Sequence, residues 1–214
     1  MHQILHFQEN NIELQHEHIR RNPLATVVSM SSKGIVANHF PLVLSNTKSG
    51  NGILQGHVAR ANGFWSDFDQ TVDVLAIFQG LDQYITPSYY PSKAEHGKVV
   101  PTWNYAVVHA SGPIRIIQDK EWLLKHLNEL TDSQEKENED PWSVDDAPQK
   151  FVEAQLRGIV GFEISISKIV GAMKMSQNKN EKDSVGVVQG LRAIGSADGH
   201  EMAKIVERNL KIKL

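Results

Sequence analysis

The sequence predicts a mainly β protein with helical additions, arranged as a small barrel. Short apolar segments alternate with Gly, Asn and Pro turns, which is typical of an antiparallel meander and not of repeated βαβ units. Segments with helical spacing lie at both ends of the chain and between the strands. The 214 residues suit one domain with a real core. We expect a single domain over 1–214, with a barrel over about 1–170 and a helical extension over about 171–214.

The first part of the chain predicts one helix and three strands. Ile12 and Ile19 share a helical face, so we expect a helix from Gln8 to Arg21 that ends before Pro23. The predicted strands are Leu24–Ser31, Ile35–Leu44 and Ile53–Val58, with turns at Lys33-Gly34 and Ser45–Asn51 and an irregular or short helical connection over Ala59–Phe68.

The second part predicts further strands and four helices. Val72–Gln79 is a strongly apolar strand, and Val99–Ile117 is one bent strand or two, broken at Gly112-Pro113. Asp119 is placed to cap a helix. The remaining predictions are a solvated acidic loop over Thr131–Asp146, a helix over Gln149–Arg157, a strand over Gly158–Val170, an irregular segment over Met173–Lys182, and two helices over Ser184–Leu214 separated around Gly195–Gly199.

Composition limits the classes of function. The formal net charge is −3, and no basic stripe or helix-turn-helix pattern occurs, so direct DNA binding is doubtful. The chain has no cysteine, which excludes disulfides, thiol nucleophiles and iron–sulfur clusters. No segment approaches the ~20 apolar residues of a membrane span. We therefore expect a cytoplasmic protein that does not contact a membrane.

Two neighbouring segments are the most informative. Phe78–Tyr90 and Val99–Tyr105 combine aromatic rings and prolines with hydroxyl and amide side chains. On a loop, such residues form a wall for a flat polar ligand, with Thr102 and Asn104 bonding its edge. The alternative is a hairpin whose aromatic residues close one end of a barrel.

Several polar groups have a ligand interpretation and a structural one. His57 and Arg60 stand where a strand enters a short helix, which favours a phosphate, but Arg60 also has Asp67 and Asp69 as nearby partners. Lys174–Lys179 is a cationic segment after a strand, with phosphate binding and helix capping as its alternatives.

Histidine is a common metal ligand, and the sequence contains two closely spaced pairs, His16 with His18 and His2 with His6. In a helix, His16 and His18 lie on different faces, so a solvated helix face is favoured and no metal site is predicted.

A set of motifs occurs in order over roughly residues 1–210 and resembles the PaiB-like family of FMN-binding negative transcriptional regulators. The Pro-Thr-Trp-Asn-Tyr and His-x-Ala-Arg-Ala-Asn segments are the most specific. The motifs are Asn38-His39-Phe40-Pro41, Gly56-His57-Val58-Ala59-Arg60-Ala61-Asn62, Phe78-Gln79-Gly80, Tyr84–Tyr90, Pro101-Thr102-Trp103-Asn104-Tyr105 and Lys174-Met175-Ser176-Gln177-Asn178.

This resemblance implies a split β-barrel with C-terminal helices, similar to pyridoxamine-phosphate oxidases and flavin reductases. It also implies a homodimer with FMN in clefts at the subunit interface. Arg60 and His57 would approach the phosphate, in a segment that includes Asn62. The residues expected near the ring or the ribityl chain are His39, Tyr84, Trp103, Asn104, Lys174 and Gln177.

Three functions are compatible with these features. The first is an FMN-binding protein, with a flavin-dependent oxidoreductase as one version, since the cofactor carries the chemistry and no catalytic acid, base or nucleophile stands out. The second is a regulator that acts through protein partners without a cofactor. The third is a haem-binding or haem-degrading split barrel, which the 10 histidines keep open.

Overall fold

A computed structural model describes residue 1, residues 4–45 and residues 50–211. His2 and residues 46–49 of the predicted turn lie outside the described residues. The strands are β1 Gln8–Glu9, β2 Leu24–Ser31, β3 Gly34–Pro41, β4 Val43–Ser45, β5 Ile53–Ala59, β6 Val74–Ile85, β7 Thr102–Gly112, β8 Ile114–Ile117, β9 Ile159–Ser165 and β10 Lys168–Lys174. The α-helices are α1 Ile12–Arg21, α2 Ser92–His96, α3 Lys120–Glu135, α4 Gln149–Arg157, α5 Glu181–Ala193 and α6 Ala197–Lys211.

The chain folds into two compact units built from interleaved segments. The first unit consists of Met1–Gln15, Gln79–Val108 and Val170–Leu214. The second unit consists of His16–Phe78 and His109–Ile169. Strands β6 and β7 each contribute one part to each unit.

The second unit contains two sets of antiparallel strands. Strands β2 and β3 form a hairpin from Leu24↔Pro41 to Ser31↔Gly34, and Gly34 has the positive φ of +105° that this tight turn requires. Strand β2 also pairs with the start of β6. The other sheet has the order β4-β5-β9-β8. Phe40, Phe64 and Phe162 fill the core with ring centroids 5.0–5.5 Å apart in edge contacts.

The first unit is a sheet covered by helices on one face. Strands β1, β10, β7 and the second half of β6 are neighbours in that order. Helices α5 and α6 bury their apolar residues against Ile85, Ala106 and Met175 of this sheet. Helix α5 also carries Gly190 directly against the ring of Tyr89, where an added Cβ would lie 2.2 Å from a ring carbon. Only glycine permits this close approach.

Several sequence predictions are confirmed by the element boundaries. Strand β2 and helix α4 have the predicted bounds, and the chain breaks between β7 and β8 at Pro113. The side chain of Asp119 accepts a hydrogen bond from the backbone N–H of Trp122 and so caps α3. The two C-terminal helices also form, with Gly195 at φ +77° between them.

Other predicted element boundaries were wrong. The N-terminal helix begins at Ile12, because Gln8–Glu9 pair with β10 as a short strand. The predicted strand Ile35–Leu44 divides at Leu42 into β3 and β4, which belong to different sheets. Gln79–Ile85 continues strand β6 instead of forming a loop. Helix α3 extends to Glu135 into the predicted acidic loop, and Gly158–Val170 contains the whole of β9 and the start of β10.

Candidate functional site

Two exposed aromatic rings lie side by side on the first unit. Tyr84 near the end of β6 is 43% exposed and Trp103 near the start of β7 is 53% exposed. Their ring centroids are 5.7 Å apart with an edge-to-face angle of 65°. Large exposed aromatic rings are typical of binding surfaces, because their burial there is favourable. We call Tyr84 and Trp103 the aromatic face.

Strand geometry explains why Trp103 is exposed while its neighbours are not. Side chains alternate between the two faces of a strand. Asn104 and Ala106 of β7 are buried, with Ala106 in the core that α5 and α6 cover, whereas Trp103 points the other way and is exposed. Alternation along β7 therefore separates the exposed Trp103 from the buried Asn104.

Lys174 ends β10 and contributes a partly buried cation to the first unit. Its amine donates a hydrogen bond to the hydroxyl of Thr102 and lies 5.8 Å from the centroid of the Phe7 ring. Burial is the main cause that lowers the pKa of Lys174, and the nearby charge of Lys179 lowers it further. The side chain also lines a cleft of about 230 Å³ together with Tyr105.

The side-chain amides of Asn104 and Gln177 form hydrogen bonds within the first unit. Asn104 is fully buried, and the hydroxyl oxygen of Ser176 lies 3.0 Å from its Nδ2 and 3.1 Å from its Oδ1. Ser176 adopts a positive φ of 59°, which is uncommon for a residue other than glycine. The Oε1 of Gln177 accepts from the backbone N–H of Met175, and its Nε2 donates to the carbonyl of Met173. The buried amide of Asn104 thus has a partner within the chain, and its role toward a cofactor stays a prediction.

Arg60 makes three hydrogen bonds to its own unit. Its Nε donates to the carbonyl of Arg157 at 3.0 Å and its Nη2 to the carbonyl of Ile159 at 3.1 Å. Its Nη1 donates to Oε1 of Gln118 at 2.9 Å. Arg157 is the last residue of α4, so the guanidinium supplies a cation at a helix C-terminus.

Two arrangements were predicted around Arg60, an ion pair with Asp67 or Asp69 and the start of a short helix. Neither has the expected geometry. Asp67 accepts from Ser32 and Asp69 from Thr71, so neither is the partner of Arg60 that the sequence suggested. The segment after β5 is a turn followed by the three-residue 3-10 helix Gly63–Trp65, and the side chain of Asn62 caps that helix by accepting from Phe64. The helix start on which a phosphate site was argued is therefore a single short turn.

His57 is paired with a histidine that no local sequence pattern indicated. The Nδ1 of His57 lies 3.1 Å from the Nε2 of His126 on α3, and His126 is 1% exposed. Trp122 stacks on His126 with ring centroids 5.3 Å apart. Burial lowers the pKa of both histidines, and for His126 burial and the neighbouring His57 lower the pKa to about 4.

The same face of the sheet carries a buried carboxylate. Glu163 on β9 accepts hydrogen bonds from Arg115, Gln55 and the indole of Trp122. These donors hold the pKa of Glu163 below its usual value, although burial opposes them. Trp122 and His126 are four residues apart and therefore share one face of α3, but no local signal links that face to β5 and β9.

The remaining histidines differ in exposure. His39 is exposed on β3. His16 and His18 are buried, so the predicted solvated helix face was wrong. The Nε2 of His16 donates to the carbonyl of Asn51, and that of His18 donates to the carbonyl of Phe78. Tertiary contacts of α1 override the polar pattern of its sequence.

Two further observations concern the described residues. They contain no group of three or more His, Cys, Asp or Glu side chains arranged to hold a metal ion. No helix among them is both long and apolar enough to cross a membrane.

The structure divides the nine predicted cofactor residues between the units. Tyr84, Trp103, Asn104, Lys174 and Gln177 belong to the first unit, and His39, His57, Arg60 and Asn62 belong to the second. The first unit fits the ring of a flavin, because it offers exposed aromatic surface. In the second unit, the donors expected at the phosphate already bond to carbonyl, amide or imidazole groups.

Comparisons with known proteins agree with the fold and the motifs. A family model described as "Putative FMN-binding domain" matches residues 1–168. The chain is 34% identical over 206 residues to the Protease synthase and sporulation protein PAI 2 of Bacillus subtilis (strain 168), with 96% of each chain covered.

Solved structures with low sequence identity share the fold. The flavocytochrome Anf3 from Azotobacter vinelandii has a TM-score of 0.57 at 13% identity, over 84% of this chain and 75% of that chain. The FAD and haem binding protein from Mycobacterium smegmatis has a TM-score of 0.56 at 13% identity, over 78% of this chain and 73% of that chain. The fold is the mainly β split barrel with helical additions that the motifs implied. On the family match and the identity to PAI 2, the chain belongs to the PaiB-like family of FMN-binding proteins.

Proposed function

We propose that the protein binds the isoalloxazine ring of FMN against the aromatic face of the first unit. The observation that carries this proposal is the exposed Tyr84–Trp103 pair, with ring centroids 5.7 Å apart. Burying these rings under a flat ligand is favourable, and the exposed indole is a good stacking partner.

When bound, FMN supplies electron or hydride transfer, and the protein then needs to orient the ring and exclude water. This division of roles fits a chain in which no catalytic acid, base or nucleophile stands out. A flavin-dependent oxidoreductase is therefore one form of the proposed function. A regulatory role, suggested by the PaiB-like family, would then depend on protein partners, because the net charge of −3 does not favour DNA.

A homodimer is the second part of the proposal. Val100 is 68% exposed and Trp103 is 53% exposed, and a stacked ring needs a wall on its other side. The neighbouring cleft of about 230 Å³ is smaller than the usual small-molecule site. A second copy would provide the missing cover. Sedimentation with FMN present should show a dimer at micromolar concentration, and a monomer would contradict this part. A cytoplasmic location stays a prediction.

Titration of the purified protein with FMN tests the ring site. The Trp103→Ala variant should weaken FMN binding by at least about 1 kcal/mol, or about fivefold in Kd, as measured by flavin fluorescence. Trp142→Ala is the matched control, since Trp142 is 49% exposed but belongs to the second unit. Equal losses in both variants, or no loss in either, would place the ring elsewhere. A Soret band on addition of haemin, with no change on addition of FMN, would favour the haem alternative.

A further inference from the structure

The first unit contains a cleft with an unusual combination of walls. It lies where the N-terminal 3-10 helix Leu5–Phe7 meets β7 and β10. Ile4, Phe7 and Ala172 give apolar walls, and Tyr105 and Lys174 give polar ones. The volume of about 230 Å³ equals the liquid volume of about seven or eight water molecules, which suits a ligand with one ring or a short alkyl chain.

The lining of this cleft includes the ammonium-bearing side chain of Lys174. Lys174 has no carboxylate partner within the part of the chain that the structure describes, and the acceptor its amine reaches is the hydroxyl of Thr102. An ammonium can donate three hydrogen bonds. Lys179 is close enough to affect the pKa of Lys174 and adds positive charge. A partly buried cation without an anion is costly, and an anionic ligand would remove that cost.

We propose that this cleft binds a small organic carboxylate, with its charge on Lys174 and its apolar body against Phe7 and Ile4. One ammonium matches the single charge of a monoanion, whereas a phosphate dianion carries twice that charge. The apolar walls favour a hydrocarbon body over a free inorganic anion. Neither Tyr84 nor Trp103 lines this cleft, so we expect its occupancy not to depend on FMN.

Calorimetric titration with benzoate and with the neutral, similarly shaped benzamide tests the charge. The protein should bind benzoate in the millimolar range or tighter and benzamide at least about tenfold more weakly. Equal affinity for the two probes would overturn the assignment of the charge to Lys174. An absence of benzoate binding in the millimolar range would overturn the site itself.

Substitutions in the cleft test whether benzoate binds there. Lys174→Met should weaken benzoate binding at least about tenfold and leave benzamide unchanged. Lys168→Met is the matched control, since Lys168 is an exposed lysine on the same strand and does not line the cleft. Ala172→Leu fills the cleft and should abolish binding of benzoate, while circular dichroism confirms that the variants are folded. Unchanged benzoate binding by Lys174→Met or by Ala172→Leu would overturn the proposal.

A competition experiment separates this inference from the proposed function. Protein saturated with FMN should bind benzoate with the affinity of the FMN-free protein. Displacement of benzoate by FMN would overturn the inference, because the cleft would then be part of the flavin site. A failure of FMN to bind in the fluorescence titration would contradict the proposed function and leave the benzoate result intact.

Discussion

The aromatic face of the first unit and the His57–Arg60 segment of the second unit are equally attractive in sequence, yet they differ in their remaining bonding capacity. Tyr84 and Trp103 are about half exposed and lie edge to face against each other. Arg60 directs three donors at groups of its own unit, and His57 bonds to His126. The first region has surface left for a ligand, whereas the second has largely used its polar groups within the fold.

This comparison shows that the type of a residue and its availability for a ligand are different properties. A hydrogen bond inside the fold and one to a ligand draw on the same donors, so a residue engaged by its neighbours must exchange partners before it binds. An exposed ring has no such partners to lose, and stacking adds contact area. The four predictions below test this contrast, beginning with the largest expected effect.

Asn104→Ala should show that the two faces of β7 have different roles. The change removes a fully buried amide, leaves the Ser176 hydroxyl without its partner and creates a cavity. We expect the free energy of unfolding, measured by urea denaturation, to fall by about 2–4 kcal/mol. Trp103→Ala, on the exposed face, serves as the comparison and should change stability far less. An Asn104→Ala protein that unfolds like the parent but binds FMN weakly would support the predicted ligand contact.

The histidine pair predicts that stability falls as pH drops from 7 to 5. The pKa of His126 is lowered to about 4, mainly by burial, while an unfolded histidine has a pKa near 6.5. Below pH 6.5 the unfolded chain therefore binds a proton that the folded chain does not bind. The free energy of unfolding falls as the pH is lowered from 6.5 to the pKa of His126 in the folded protein. The loss between pH 7 and pH 5 should be about 2 kcal/mol.

Urea denaturation of a His126→Leu variant isolates this contribution. The variant should lose less stability than the parent between pH 7 and pH 5, because the buried titrating group is gone. His6→Gln removes an exposed histidine and serves as the control with an unchanged pH dependence. A parent-like pH dependence in His126→Leu would assign the effect to other groups, such as His18, whose pKa is also lowered by burial.

Arg60→Ala should affect the fold more than the cofactor. The change removes the guanidinium donors from the carbonyls of residues 157 and 159 at the C-terminus of α4. We expect unfolding free energy to fall by about 1–2 kcal/mol, with the ratio of FMN to riboflavin affinity nearly unchanged. If that ratio falls tenfold at constant melting temperature, Arg60 holds the phosphate as the sequence motif suggested.

The fold was more predictable than the site because its signals are local. The cap at Asp119, the break at Pro113 and the whole of α4 depend on neighbours in sequence. In contrast, the burial of His18 depends on Phe78, and the state of His57 depends on His126, 69 residues away. Gly80–Ile85 lacks a local strand pattern because of its polar residues, and strand pairing nevertheless makes it part of β6. Availability for a ligand is set by such distant contacts, so no local pattern predicts it.

Trp103→Phe carries the smallest expected effect on the fold and the most specific one on the ligand. The indole is 53% exposed and its ring contacts Tyr84, so a phenyl ring should keep the edge contact and change unfolding free energy by less than about 0.5 kcal/mol. Flavin fluorescence should nevertheless change, because the larger indole stacks on and quenches a bound ring more effectively than phenyl does. Tyr84→Phe is the control, since it keeps the ring and removes only a hydroxyl group. Identical flavin emission in the parent and in both variants would place the ring away from the aromatic face, and the exposure of these side chains would then be explained by a protein partner.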